Sequence, residues 1–246
     1  MASFVSWRFD EDALLEEILN DPDTGTKKLQ AGSPPESVKK VQQALFDLTW
    51  TQRIDPPVSD RSQFVIGTYG PLTTKTVKAY KTRYDIRFPP GDPNGFIDGL
   101  TGPRTLAKLD RHCVLFDLCD AKLAGKAAEV RNATGREHDS PTLPILGTKG
   151  AMRLRSGGGL PGIPSGLWFK KGLGTFEVSG PIFIAYQDKG SESGDLGFPF
   201  TDQQAGDAPG RFLQEFEGGE IRFEDGQTFV LFGNPPNDMD VSADSF

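Results

Sequence analysis

Apolar residues recur at helical spacing through the first half of the chain and in short, turn-separated runs through the second. In residues 10–19, Leu14, Leu15, Ile18 and Leu19 share one face behind an acidic first turn. That pattern predicts a helix with Asp10 as its N-cap and Asn20-Asp21-Pro22 as its stop. Ser33-Pro34-Pro35-Glu36 opens a second helix, on which Val38, Val41, Leu45 and Leu48 make one stripe. Thr73 reads as the cap of a third, with Val77, Tyr80 and Tyr84 in register. Thr101-Gly102-Pro103 starts another, carrying Leu106, Leu109, Cys113 and Phe116. Short helices with one apolar stripe each are stable only when packed together, so a small helical domain is expected.

Beyond residue 125 the texture changes. Gly125 to Gly135, Ser140-Pro141 and Leu143-Pro144 read as a helix end followed by a linker. Residues 166–178 and 219–232 then each read as two short strands around a turn, the second with an Asp225-Gly226 turn signal. Shifting by 53 residues lays Gly166 on Gly219, Thr175 on Thr228, Phe176 on Phe229 and Gly180 on Gly233. A common offset across a hairpin predicts an internal repeat, with copies near 140–180 and 181–233. The expected fold class is therefore α+β in two domains: a three-helix domain with an extra N-terminal helix, then an all-β domain of hairpin repeats. The expected boundaries are an acidic helical extension over 1–28, a helical domain over 29–125, a linker over 126–142, a β domain over 143–234 and a tail over 235–246.

Charge sharpens this division. The chain has 27 Lys and Arg against 34 Asp and Glu, a net of −7. Residues 1–28 hold 3 basic and 7 acidic groups, residues 29–124 hold 13 and 10, and residues 125–246 hold 11 and 17. Net acidity argues against nucleic acid as a partner. No apolar run reaches the roughly 18 residues of a membrane span. The acidic first twenty residues are unlike a secretory signal, and two cysteines cannot build a disulfide scaffold. Synthesis in a reducing cytosol is expected.

Three ordered motifs carry a resemblance. Leu29-Gln30-Ala31-Gly32 with Val38, Val41-Gln42, Leu45 and Leu48 resembles the first helix of the type 1 peptidoglycan-binding domain. Gly67-Thr68-Tyr69-Gly70-Pro71 with Thr73-Thr74 and Val77-Lys78-Ala79-Tyr80 is similar to its second-helix motif, and Ile97 to Leu106 with Leu109 to its third. Two departures stand out: residues 49–66 form a longer connection, and Lys81 stands where the family often has Gln. In the second half, Gly194-Asp195-Leu196-Gly197-Phe198-Pro199 followed by Phe216-Glu217-Gly218-Gly219 resembles the LGFP repeat of wall-anchoring modules.

The resemblance implies a binding protein for peptidoglycan or a related envelope glycan, synthesised in a bacterial cytoplasm and then acting at the envelope or exported by a non-classical route. The expected ligand-binding set is Tyr69, Thr73, Lys81, Asp98, Gly99, Gly102 and Arg104 in the helical domain, with Trp168, Phe198 and Phe216 in the β domain. Tight turns at Asp98-Gly99 and Thr101-Gly102 leave backbone donors near a helix start, which suits a wall-peptide carboxylate, and Arg104 adds a fork of donors. The tyrosines and the β-domain aromatics fit core positions as well as ligand platforms. Catalytic patterns are missing: two histidines make no H-E-x-x-H array, and Gly157-Gly158-Gly159 lacks the Lys-Ser/Thr of a phosphate loop. Cys113 and Cys119, about 240° apart on a helix, cannot form a disulfide there. No cofactor or metal is expected. Two other functions stay open: a structural or cargo protein of a secretion or contractile injection machine docked through the N-terminal helix, and a wall hydrolase whose acids spacing cannot reveal.

Overall fold

A computed structural model describes residues 3–22, 24, 26–145, 148–154 and 164–233. The Gly157–Gly159 run and the 235–246 tail lie outside the described residues. The fold is mixed helix and sheet, and the chain divides into two compact units, Met1–Asp117 and Leu118–Phe246.

The first unit is built on α1 (Ala13–Leu19), α2 (Pro35–Asp47), α3 (Pro71–Arg83) and the start of α4 (Pro103–Thr134). The expected stripes are its core: Val38, Val41 and Leu45 from α2 with Leu48 at its C-cap, Val77 and Tyr80 from α3, and Leu106, Leu109 and Cys113 from α4 are all buried. Two caps differ from expectation. Asp12, not Asp10, caps α1; it accepts from Leu15 N–H at 3.0 Å and from the Ser37 hydroxyl at 2.9 Å. A short 3₁₀ turn at Trp7–Phe9 and a left-handed Glu11 precede that cap and delay the helix. Thr73 caps nothing, because α3 already begins at Pro71 behind Gly70, which leaves Thr73 buried inside the first turn.

The N-terminal segment is no appendage. Phe4, Phe9, Leu15 and Ile18 belong to the same core as the α2 stripe. The Arg8 guanidinium pairs with Asp47 at the end of α2 and with Asp117 on α4. A docking role for α1 would therefore fall to its acidic outer face, since its apolar face is occupied. Residues 49–66 also fold: Ile54, Val58 and Phe64 are buried beside Phe46, Leu72 and Ala79 in a second small cluster.

Helix α4 is longer than its sequence pattern predicts. It continues unbroken through Gly125 to Thr134, across most of the expected linker, and Gly135 follows with a left-handed φ of 71°. In the second unit, β1 (Leu143–Ile145), β2 (Gly150–Leu154), β3 (Ser165–Lys170) and β4 (Gly174–Ser179) form one antiparallel sheet in chain order. Next come α5 (Gly180–Asp188) and a second sheet in the same order: β5 (Gln204–Ala205), β6 (Phe212–Phe216), β7 (Gly219–Glu224) and β8 (Gln227–Phe232). The repeat offset of 53 carries β4 onto β8. The β3–β4 turn has one residue more than the β7–β8 turn, where Asp225 and Gly226 both have positive φ, the conformation a two-residue hairpin turn requires.

An all-β second domain is thus corrected by α5. Pro181 pre-shapes its first turn, and Ile182, Phe183 and Tyr186 put a helical apolar face into the core with Trp168, Val178, Phe198, Phe216 and Ile221.

His112 supplies a test of the first unit. Its Nδ1 lies 3.0 Å from the Tyr80 hydroxyl, and its ring packs 4.6 Å from that of Tyr84. Burial, aided by Lys108, pulls its pKa down from 6.5 to about 4. The unfolded chain therefore binds a proton that the folded one refuses between those values. Stability from this site is complete above pH 6.5 and is lost as pH falls toward 4. We expect unfolding free energy from urea titrations to fall by about 2 kcal/mol over that window after allowance for partial exposure. His112→Phe should remove that part of the slope.

Candidate functional site

Residues 84–102 form no regular element, and three clasps fix them. The Tyr69 hydroxyl donates to the Gly99 carbonyl at 2.8 Å, so its 2.9 Å contact with Thr101 Oγ1 is an acceptance. Burial pushes this phenol well above its ordinary pKa, which keeps it a donor. Lys81, buried on α3, donates to the Asp98 carboxylate, which also accepts from Leu100 N–H at 3.1 Å. Leu29 and Thr101 exchange backbone hydrogen bonds of 2.9 and 3.2 Å.

The loop passes so close to α3 that only glycine fits at residue 99. A Cβ there would sit 2.3 Å from Thr74 Cγ2 and 2.7 Å from the Thr74 carbonyl oxygen.

These clasps bring five chain segments around one cavity of about 290 Å³ at the start of α4. Lys27 and Lys28 arrive through the Leu29–Thr101 bridge, Lys81 from α3, and Gly102, Pro103 and Arg104 from the helix start. Phe88 and Phe96 close another side, joined by a backbone bridge and an edge-to-face contact of 5.8 Å. Four cations therefore line the cup against the single carboxylate of Asp98. Lys81 is committed to Asp98, Arg104 donates to the Arg87 carbonyl, and Lys27 pairs with Glu17. Lys28 makes no ion pair among the described residues. The first turn of α4 adds backbone N–H groups that the helix itself does not use, and the helix dipole favours an anion there.

Of the expected site residues, Lys81, Asp98, Gly102 and Arg104 line this cup. Tyr69 and Gly99 shape it from behind. Thr73 lies elsewhere: its hydroxyl accepts from the Gln42 amide at 2.9 Å, and Gln42 in turn holds the 65–68 turn by accepting from Gly67 N–H and donating to the Thr68 carbonyl. Lys27, Lys28, Phe88 and Phe96 were absent from the expected set. No lining residue comes from 49–66, so the insertion does not occlude the cup.

The β-domain set is corrected. Trp168, Phe198 and Phe216 are 1%, 2% and 0% exposed, so their rings offer no face to a sugar. Trp168 meets Tyr186 edge-on at 5.1 Å, and Tyr186 stacks on Phe216 at 4.7 Å. The Tyr186 hydroxyl donates to the Gly197 carbonyl at 2.7 Å, and the Glu217 carboxylate accepts from Phe198 N–H at 3.0 Å and from Lys170. The tetrapeptide Leu196–Pro199 is a clasp of the core.

A second cavity in this unit, about 630 Å³, is lined by Lys126, Arg136, Glu177 and Asp202 among others. Its cations are already neutralised, Lys126 by Asp202 and Arg136 by Glu177. Nearby, His138 Nε2 meets the Ser165 hydroxyl at 2.9 Å and a Glu177 oxygen at 3.6 Å. Both partners approach one ring nitrogen, and His138 and Ser165 are buried, so these residues cannot act as a nucleophilic triad. Among the described residues no group of three or more His, Cys, Asp or Glu is placed to hold a metal, and no helix is long and apolar enough to cross a membrane. No protein-family model matches the chain, and no curated protein matches it.

Gly99→Ala should cost about 2–3 kcal/mol in thermal or urea unfolding, because the clash is with backbone as well as a methyl group. Gly102→Ala, at a position with open space around the Cβ, should stay within about 0.5 kcal/mol.

Proposed function

We propose that this chain is a non-catalytic binding protein for peptidoglycan or a related envelope glycan, and that the cup at the start of α4 is the contact. One observation carries the reading: four cationic side chains and a helix N-terminus converge on a small cavity with a phenylalanine rim. That combination suits a short ligand with a carboxylate and an apolar body, such as a wall peptide. A neutral saccharide alone would leave the cations without a use.

The net charge of −7 bears on mechanism. Acidic envelope polymers are not drawn to such a chain by bulk attraction. At physiological salt, charges are screened beyond about 8 Å, so the local cup can act against the sign of the whole. Lys28 is the cation with the most freedom to meet a ligand. Binding through the second unit has no comparable support, since its expected platform residues are core.

Incubation with purified sacculi followed by sedimentation tests the reading directly. Wild-type protein should leave the supernatant, and Lys28→Glu should weaken binding about 10-fold, equivalent to about 1.4 kcal/mol. Equal recovery with and without sacculi would sink the proposal, and release of soluble muropeptides would replace it with an enzymatic one.

A further inference from the structure

The two sheets of the second unit have four edges, and three are closed to further pairing. β1 is three residues long with Pro144 at its centre, and β5 is two residues long. Short strands and proline are how sheets protect their edges. β4 is six residues long, but its edge is capped by side chains: Glu177 N–H donates to Asp202 at 2.9 Å, and the Glu177 carbonyl accepts from the Gln214 amide at 2.8 Å.

β8, the counterpart of β4 in the repeat, has no such protection. Its residues Gln-Thr-Phe-Val-Leu-Phe carry no charge, proline or glycine. Among the described residues nothing hydrogen-bonds to its outer edge. Phe229, Leu231 and Phe232 are 45%, 45% and 56% exposed.

The ladder register tells which backbone groups face outward. Gln227 closes the two-residue turn opposite Glu224, and Gly233 N–H donates to the Gly218 carbonyl at 3.2 Å. Bonded and non-bonded pairs alternate in an antiparallel ladder. Gln227, Phe229 and Leu231 therefore turn their N–H and C=O groups toward β7. Thr228, Val230 and Phe232 turn theirs to the open edge.

We propose that β8 is an interface for a second copy of this chain, which adds its own β8 antiparallel with Val230 on the two-fold axis. In that register Val230 faces the partner's Val230, and Thr228 faces the partner's Phe232. Every outward N–H and C=O of the three residues then has a partner. Phe229 lies opposite the partner's Leu231, so the exposed apolar side chains cover one another. Charge fits as well. Arg222 neighbours Phe229 in the ladder and Glu220 neighbours Leu231. The joined row reads Arg222, Phe229, the partner's Leu231, the partner's Glu220, with opposite signs at its ends and no like charges facing. Any other protein would need an uncharged strand of matching register; a second copy has one by symmetry.

A single strand pair buries less than the roughly 1,200–2,000 Å² of a standard stable interface, so the dimer is weak, with a dissociation constant in the micromolar range. Sedimentation velocity on the full chain from about 1 to about 500 µM brackets that range and should show a reversible monomer–dimer equilibrium. Phe229→Lys and Leu231→Glu, both on the exposed face and both checked for folding by circular dichroism, should each weaken it at least about 10-fold by leaving a charge unpaired. The double variant sets the introduced lysine against the introduced glutamate and should recover dimerisation. A monomer at every concentration, a dimer indifferent to the single changes, or a double variant no better than the singles would each overturn the proposal. Amide exchange decides the remaining case. Slow exchange at Thr228, Val230 and Phe232 in dilute monomer would mean that the chain's own residues occupy this edge, and would also overturn it.

Discussion

The Tyr69 hydroxyl is the constraint on which the site of the first unit rests. It sits behind a loop with no helix or strand ladder of its own, and it joins the Gly99 carbonyl to the Thr101 side chain. Thr101 in turn exchanges backbone bonds with Leu29, the residue that follows the two lysines. A buried phenol thus sets where Lys27 and Lys28 stand relative to α4. A typical hydrogen bond contributes only about 1 kcal/mol net. Leaving Gly99 O and Thr101 Oγ1 buried without partners would cost more than that, which makes the arrangement discrete rather than adjustable.

Asp98 works in the same direction through charge. Lys81 is buried and Asp98 only partly so, so the pair is held where solvent screens it weakly. A buried ion pair adds little stability over an apolar pair of the same shape, but breaking it strands a charge. Its consequence here is geometric: the carboxylate that balances Lys81 also fixes Leu100 N–H, and the other three cations of the cup have no second carboxylate among its lining residues. Excess positive charge in that cavity follows from the fold although the chain as a whole is acidic.

Much of the skeleton was legible in the sequence because it depends on local rules. Stripes at 3- and 4-residue spacing located α2, α3 and the start of α4, and Asp225-Gly226 located a hairpin turn. What was missed depends on tertiary context. Residues 180–188 were hidden between two hairpins, and their apolar run fits a helix or a strand by pattern alone. The Gly residues near 125 and 135 read as a stop, yet an isolated glycine costs a long helix only about 1 kcal/mol, and α4 runs through the first of them. The cup needs residues 27, 28, 81, 88, 96 and 104 together, and tertiary contacts bring them there: the Tyr69 and Lys81–Asp98 clasps and the Leu29–Thr101 and Phe88–Phe96 bridges. No spacing encodes that. Trp168, Phe198 and Phe216 show the opposite error: aromatic residues in a glycine-rich setting suit a sugar platform in composition, while tight packing around Tyr186 makes them core.

The internal repeat makes β4 and β8 equivalent edge strands with different surroundings among the described residues. Both copies end in a six-residue strand, and in both the preceding turn delivers that strand to the edge of its sheet. In the first copy the chain continues beyond β4, and the segment before β5 supplies Asp202 and β6 supplies Gln214 to the outward backbone of β4. Among the described residues no side chain plays those parts for β8. In a repeat array each copy covers the edge of its neighbour. Natural caps use charge or proline, and β8 has neither. Its last four residues, Phe229 to Phe232, are a continuous apolar run of the kind found in strands covered on both faces, which suits pairing with an identical strand.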